Sequence, residues 1–180
     1  TLHQLCDWQW LEGEDGKVLK QVAGKPVYTA TLVKYADLIP FRLTDYNFDP
    51  VKFSDLQGKT GPYLLYSTIR MKSLLNKANE ANIEYKDYKK INNNIDRDVI
   101  IGLLNLRSVL LKSMNTKSLN DITDYLYKIT NLYNNFYSQN RILTEENIEL
   151  QESWLTLTKV IYDNNLKLLN ILGIEVPEKM

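Results

Sequence analysis

Apolar residues recur at helical spacing along most of this chain. After Thr60, the positions Leu64, Leu65, Ile69, Leu74, Leu75 and Ala78 line one side of a helix running to about Glu80, with Arg70, Lys72 and Lys77 on its polar side. Thr60 has the hydroxyl an N-cap needs, and Pro62 suits the first turn because its missing N–H has no intrahelical partner there. Upstream, Pro26 followed by Val27, Ala30, Val33 and Leu38 predicts a short helix that ends before Pro40, and residues 39–59 read as a loop rich in Asp, Pro and Gly. Downstream, Asp96 is the expected cap of a helix through Ile100, Leu103, Leu104, Leu106, Leu110 and Leu111. Ser118 is the expected cap of one through Ile122, Leu126, Ile129, Leu132 and Phe136. A long last helix is expected to open at Thr144, with Glu145 and Glu146 complementing the positive end of its dipole. It carries Leu150, Trp154, Leu157, Val160, Ile161, Leu168, Leu169 and Leu172, and Gly173 and Pro177 stop it.

Two segments break the pattern. Residues 82–94, including YKDYKKINNN, are polar and Lys-rich and read as a solvated loop able to brush a phosphate. In residues 1–25, Trp8 and Trp10 alternate with Asp7 and Gln9, and Asp15-Gly16 precedes Val18 and Leu19, which reads as a small hairpin. Four or five helices with short polar links predict an all-α fold: an antiparallel helical bundle over 26–180, with a small irregular or hairpin segment over 1–25. There is no internal repeat and no sustained heptad register.

Composition then narrows the chemistry. With 180 residues and 44% hydrophobic content, the chain can bury one core and is short for two domains. Its 22 basic and 22 acidic residues cancel, which removes the bulk electrostatic attraction behind non-specific nucleic-acid binding. Any RNA contact is therefore expected to be local and dependent on shape. The single Cys6 cannot form an internal disulfide and reads as a small buried residue. No apolar run reaches transmembrane length, so a reducing cytoplasmic setting away from membranes is expected. The start at Thr1 suggests an excised C-terminal piece.

No catalytic residues are expected. His3 is the only histidine, which excludes a histidine-based triad or a multi-histidine metal centre, and His3 with Cys6 makes only half a metal site. Gly58 and Gly61 do not have phosphate-loop spacing. The carboxylate pairs Asp121/Asp124 and Glu145/Glu149 read as solvated helix faces. The twelve tyrosines are more informative, because single-stranded RNA is held by stacking unpaired bases on aromatic rings, at about 1–3 kcal/mol per base. Tyr46, Tyr125, Tyr127 and Tyr162 suit the edge of a helical core. Tyr63 and Tyr66 differ, lying in a first helical turn after Gly61-Pro62 and one turn before Arg70, where exposed amides are expected to meet phosphate.

The run YADLIPFRLTDYNFDPVKFSDLQGKTGPYLLYSTIR, residues 35–70, resembles the junction between catalytic core and C-terminal domain in arginyl-tRNA synthetases. The family pattern there is Y/F-x-D-L, R-x-x-D-Y-x-F-D, F-x-x-x-x-G-x-T-G/A-P-Y-L-x-Y and then R. It is met by Tyr35, Asp37, Leu38, Arg42, Asp45, Tyr46, Phe48, Asp49, Phe53, Gly58, Thr60, Gly61, Pro62, Tyr63, Leu64, Tyr66 and Arg70. Residues 125–143 resemble the family's Y-L-Y-D-L-A-x-x-F-N-x-F-Y segment, and LLNILGIEVPEKM resembles its ending L-G-I-x-V-P-E-R/K-M, which makes Met180 the expected chain end.

The resemblance implies a DALR-type anticodon-binding domain of the class I synthetase kind, an α-helical bundle that reads the anticodon loop of arginine tRNA. Its implied tRNA-binding residues are Tyr63 and Tyr66 from the G-P-Y-L-x-Y motif, the following Arg70, Tyr137 from N-x-F-Y, Arg141 one turn later, and the terminal Met180; Gly58 and Thr60 shape the loop before the helix. The full-length enzyme is implied to be an ATP-dependent arginine-tRNA ligase using ATP and Mg in a catalytic domain of the same polypeptide. This stretch alone is implied to hold no cofactor and to be monomeric. The family's H-I-G-H motif is absent. Residues 12–24 resemble its G-x-D-G-K-x-x-K-T-R-S-G loop only weakly, because Gln21, Val22 and Ala23 replace T-R-S, so residues 1–25 read either as a remnant of the catalytic core or as unrelated sequence. Two other readings stay open: a truncated paralogue acting as a tRNA-binding regulatory or protein-docking module, and a structural bundle whose tyrosines are all core edge.

Overall fold

The computed structural model describes residues 27–178; the hairpin expected within residues 1–25 and the terminal Met180 lie outside them. The described elements are α1 (Val27–Leu38), α2 (Pro50–Phe53), α3 (Gly61–Glu80), α4 (Asn94–Leu104), α5 (Leu106–Thr116), α6 (Asn120–Gln139), a 3-10 turn (Ile142–Thr144) and α7 (Ile148–Ile171). No strand occurs among the described residues, and the expected helical bundle is the architecture found. Helices α3, α6 and α7 pack on one another, α1 closes one side against α3 and α6, and α4 and α5 cover another side of α6. The apolar stripes meet in one core, where Leu64, Leu65, Met71, Leu126, Ile129, Tyr133, Phe136, Leu155, Ile161 and Leu169 lose essentially all contact with water.

Within the bundle, α3 and α6 run in the same direction, since Tyr63 meets Asn131, Ser67 meets Asn134 and Arg70 meets Tyr137. Helix α7 runs the opposite way, with Asn165 against Thr130 and Trp154 against Phe136. The parallel pairing requires a long return between α3 and α6, and the irregular segment 82–93 with α4 and α5 supplies it.

Helix ends show where local and tertiary forces agree. Thr60 is the cap of α3 as expected, its Oγ1 accepting from the Tyr63 amide at 3.2 Å. Gly173 ends the last helix at φ +67°, a left-handed conformation that suits glycine, and the Ile174 and Gly173 amides bond back to the carbonyls of Leu169 and Asn170.

Other expected starts are corrected. Asn93, not Asp96, caps α4 by accepting from the Ile95 and Asp96 amides. Asp96 is instead fully buried, accepting from the Asn92 amide at 2.9 Å and Trp154 Nε1 at 3.3 Å, because a buried carboxylate needs donors that only the assembled fold brings to it. The single helix expected through Ile100 and Leu111 is two, separated at Asn105. Gly102 lies so close to α6 that a Cβ there would sit 3.0 Å from Ile129 and Leu132. Ser118 does not cap α6, which starts at Asn120; it is buried and donates to the Asn120 side chain. Asn147 rather than Thr144 caps α7, because residues 142–144 form the 3-10 turn. Inside the expected loop 39–59, Asp49 and Pro50 start the single turn α2.

Residues 82–93 form no helix, as expected, but are not a freely solvated loop; Asn94 already belongs to α4. The Lys89 and Lys90 amides donate to Ser153 Oγ, Lys86 N donates to Glu152, Lys89 pairs with Glu152, and Thr156 donates to the Asp87 carbonyl. The segment is a strap tied along α7.

Burial pushes the hydroxyls of Tyr88 and Tyr125 up to about 12, with the nearby Asp96 carboxylate adding to the effect at Tyr88. Tyr35 and Tyr133, deeper in the core, are raised further, again mainly by burial. The folded state thus holds these phenol protons more tightly than the unfolded chain, whose tyrosines titrate near pH 10. That stability is fully present below about pH 10 and is lost as pH climbs toward 12. Loss of helical ellipticity and the part of the phenolate absorbance that comes from the buried tyrosines are therefore expected to change together across that window. Complete tyrosine ionisation with the helix signal intact would contradict the burial.

Candidate nucleic-acid interface

The loop before α3 sets the position of its first turn. Gly58 turns the chain at φ +81°, Thr60 Oγ1 donates to the Asp55 carbonyl, and Gly61 is pressed against α1, where a Cβ would lie 2.8 Å from Thr31 Cγ2. This packing changes one expectation. The Tyr63 amide is taken by Thr60, Pro62 has no N–H, and Gly61 is buried, so the first-turn amides of α3 are not open to phosphate.

The side chains beyond that turn carry the chemistry. Tyr63 is half-buried and locked: its hydroxyl donates to Asn131 Oδ1 and accepts from Asn134 Nδ2 at 2.7 Å, and its ring meets Tyr127 edge-on with centroids 5.9 Å apart. Burial raises the Tyr63 hydroxyl above its ordinary range, and the Asn134 hydrogen bond opposes the shift. Asn134 also donates to Ser67 Oγ at 3.0 Å, tying α6 to α3.

One turn along α3, Tyr66 is 40% exposed. Arg70 donates to the Tyr66 hydroxyl at 2.8 Å, and its guanidinium carbon lies 4.7 Å from the Tyr66 ring centre and 5.5 Å from that of Tyr137. Tyr137 stacks in turn on buried Tyr133, with centroids 6.1 Å apart, and Tyr133 leans on Phe136. The result is a row of flat groups, Tyr66, Arg70, Tyr137 and Tyr133, rooted in the core at one end and open to solvent at the other. The row carries the positive charge of Arg70, with which no carboxylate among the described residues pairs. Such a surface offers π-faces to bases and a planar cation to phosphate.

The structure thus brings Tyr63, Tyr66, Arg70 and Tyr137 together. Arg141 is exposed at the start of the 3-10 turn with no side-chain partner among the described residues, outside the row. Met180 lies outside the described residues. Sequence reasoning missed Asn131, Asn134 and Ser67, and assigned Tyr127 to the core edge. The only prior signal was the i, i+3 spacing of Asn131 and Asn134, which places two amides on one face of α6.

The described residues thus define an all-α helical bundle domain that carries an aromatic and guanidinium row on its surface. The chain belongs to the DALR anticodon binding domain family, whose model matches residues 64–180. Among curated relatives, the arginine–tRNA ligase of Alkaliphilus oremlandii is 33% identical over 149 residues, covering 82% of this chain and 25% of that protein. The arginine–tRNA ligase of Francisella tularensis subsp. novicida is 29% identical over 172 residues, covering 92% of this chain and 29% of that protein. Among solved structures, Thermus thermophilus arginyl-tRNA synthetase has a TM-score of 0.74 at 20% identity, covering 86% of this chain and 27% of that one. Plasmodium falciparum arginyl-tRNA synthetase has a TM-score of 0.72 at 19% identity, covering 86% and 27%. At these identities the structural likeness concerns the fold. The chain spans between a quarter and a third of the length of the curated relatives named here.

Proposed function

We propose that this chain is the anticodon-binding portion of an arginine–tRNA ligase and recognises the anticodon loop of arginine tRNA. The observation that carries the reading is the Tyr66–Arg70–Tyr137 row, in which a guanidinium without a carboxylate partner among the described residues is held against two rings on a chain of zero net charge. Binding of this kind draws on stacking and a few placed contacts rather than bulk charge. Tyr66 and Tyr137 take stacked bases, Arg70 takes a phosphate or the face of a base, and Tyr63, fixed by Asn131 and Asn134, forms the rigid edge that sets their spacing. Arg141 contributes an outlying phosphate contact, and Met180 a polarisable thioether against a base.

In this reading the rest of the polypeptide, a cytoplasmic enzyme, joins arginine to the tRNA using ATP and Mg. No group of three or more His, Cys, Asp or Glu side chains among the described residues could hold a metal ion. No helix among them is long and apolar enough to cross a membrane. The role of this domain is differential binding, in which contacts to the correct anticodon loop help commit the cognate tRNA.

Titrating the chain with arginine tRNA and with the same tRNA carrying a swapped anticodon, at several salt concentrations, tests the proposal. A preference for the arginine anticodon with a shallow salt slope is expected. Equal affinities with a steep slope would mean that only phosphates are being counted.

A further inference from the structure

Helix α3 continues past Arg70 with a polar face. Ser73 and Lys77 follow Tyr66 and Arg70 at intervals of three and four residues, so the four share one side of the helix over about 16 Å. Beside this stripe, Ile69, Lys72, Ser73, Asn76, Lys77, Glu80 and Glu178 line a groove of about 360 Å³. Ser73, Asn76 and Lys77 are exposed and make no side-chain hydrogen bond or ion pair among the described residues, although two are neutral donors and the third is a cation. Lys72 is engaged: Glu178, from the tail beyond α7, crosses onto α3 and accepts from Lys72 Nζ at 2.7 Å. A carboxylate therefore already sits where the groove offers cationic and neutral donors.

We propose that this groove is a phosphodiester subsite of the RNA strand, continuing from the Tyr66–Arg70–Tyr137 row, and that Glu178 occupies it as an internal competitor in the free protein. The inference rests on the RNA-binding reading above and extends it to the backbone of the bound strand. Lys72 and Lys77 supply charge, Ser73 and Asn76 supply neutral donors, and Glu80 marks the acidic far end. The Lys72–Glu178 pair is itself weak. The Glu178 side chain is 85% exposed and that of Lys72 is 28% exposed, and an ion pair so open to water is worth little. A strand anchored by stacking at the neighbouring row presents its phosphate at high effective concentration and displaces the carboxylate. The tail thereby disfavours loosely bound anions while admitting a strand already held next door.

The test uses the 180-residue chain and arginine tRNA over a salt series. Lys77→Ala is expected to weaken binding about threefold and to reduce the log–log salt slope by about 0.7, the loss of one single-strand phosphate contact. Glu178→Gln is expected to tighten binding about two- to fivefold, the range an exposed ion pair can offset. Glu175→Gln, the same charge change at an exposed tail position that does not line the groove, is expected to do much less. In a Lys72→Ala background, Glu178→Gln is expected to have a smaller effect. If Lys77→Ala and Glu178→Gln leave affinity and slope unchanged while Tyr66→Ala weakens binding, the groove proposal falls and the aromatic row stands. If Tyr66→Ala is also silent, the row falls with it. Equal gains from Glu175→Gln and Glu178→Gln would reduce the tail to general charge and overturn the competitor role.

Discussion

Arg70→Ala is expected to weaken binding of arginine tRNA by about 10- to 100-fold while leaving the thermal unfolding temperature within about 2 °C of the parent. The guanidinium touches both rings of the row and has no ion pair among the described residues to lose, so its removal is expected to cost the folded state little. For a bound strand the loss is double: a planar cation disappears and the gap between Tyr66 and Tyr137 loses its filler. Arg70→Lys separates the two terms. Lysine keeps the charge and so is expected to restore the salt slope, but it lacks the plane that lies against two rings and is expected to recover little of the affinity. Full recovery with Lys would reduce Arg70 to a point charge. Unchanged affinity in Arg70→Ala would remove the row from the interface.

Trp154→Ala is expected to cost about 3–5 kcal/mol, the range for deleting a large buried aromatic, and to lower the unfolding temperature by on the order of 10 °C. Trp154 is almost wholly buried on α7, its ring is edge-on to Phe136 of α6 with centroids 6.2 Å apart, and its Nε1 donates to buried Asp96 of α4. One side chain thus joins three helices, and through Asp96 it also holds the end of the strap at Asn92. Trp154→Phe keeps most of the apolar volume and leaves Asp96 short of a donor, for which about 1–3 kcal/mol is expected. Calorimetry or denaturant unfolding distinguishes the two; equal losses in both variants would mean that the hydrogen bond, not the ring, dominates the site.

Much of the fold is legible without coordinates because it follows from periodicity. The stripes from Leu64 to Ala78, from Ile122 to Phe136 and from Leu150 to Leu172 are long enough to leave no rival to a helix, and they become α3, α6 and α7. Thr60 and Gly173 are read correctly because each stands alone at its boundary with the right backbone chemistry. The caps of α4 and α7 are misplaced for the opposite reason. Asn93 competes with Asp96, and Asn147 with Thr144, and residues with similar local capping preference can be ranked only by what the tertiary fold does with the loser. Asp96 loses the cap to Asn93 because Trp154 and Asn92 claim its carboxylate. No Gly or Pro stands at the break at Asn105, and the close approach of α4 to α6 at Gly102 shows only in the packed structure.

The candidate site divides along the same line. Tyr63, Tyr66 and Arg70 share a face by spacing alone, and the resemblance to arginyl-tRNA synthetases adds Tyr137. Spacing within one helix says nothing about its neighbour. That Arg70 lies against Tyr137, that Asn131 and Asn134 lock Tyr63, and that Glu178 reaches Lys72 depend on the parallel register of α3 and α6 and on the path of the tail after Gly173. Local periodicity, caps and composition determine the helices, their apolar faces and the absence of bulk positive charge, because each depends on residues a few positions apart. Which side chains share one surface is decided by burial of those faces against partners far along the chain, and only the packed structure carries that information.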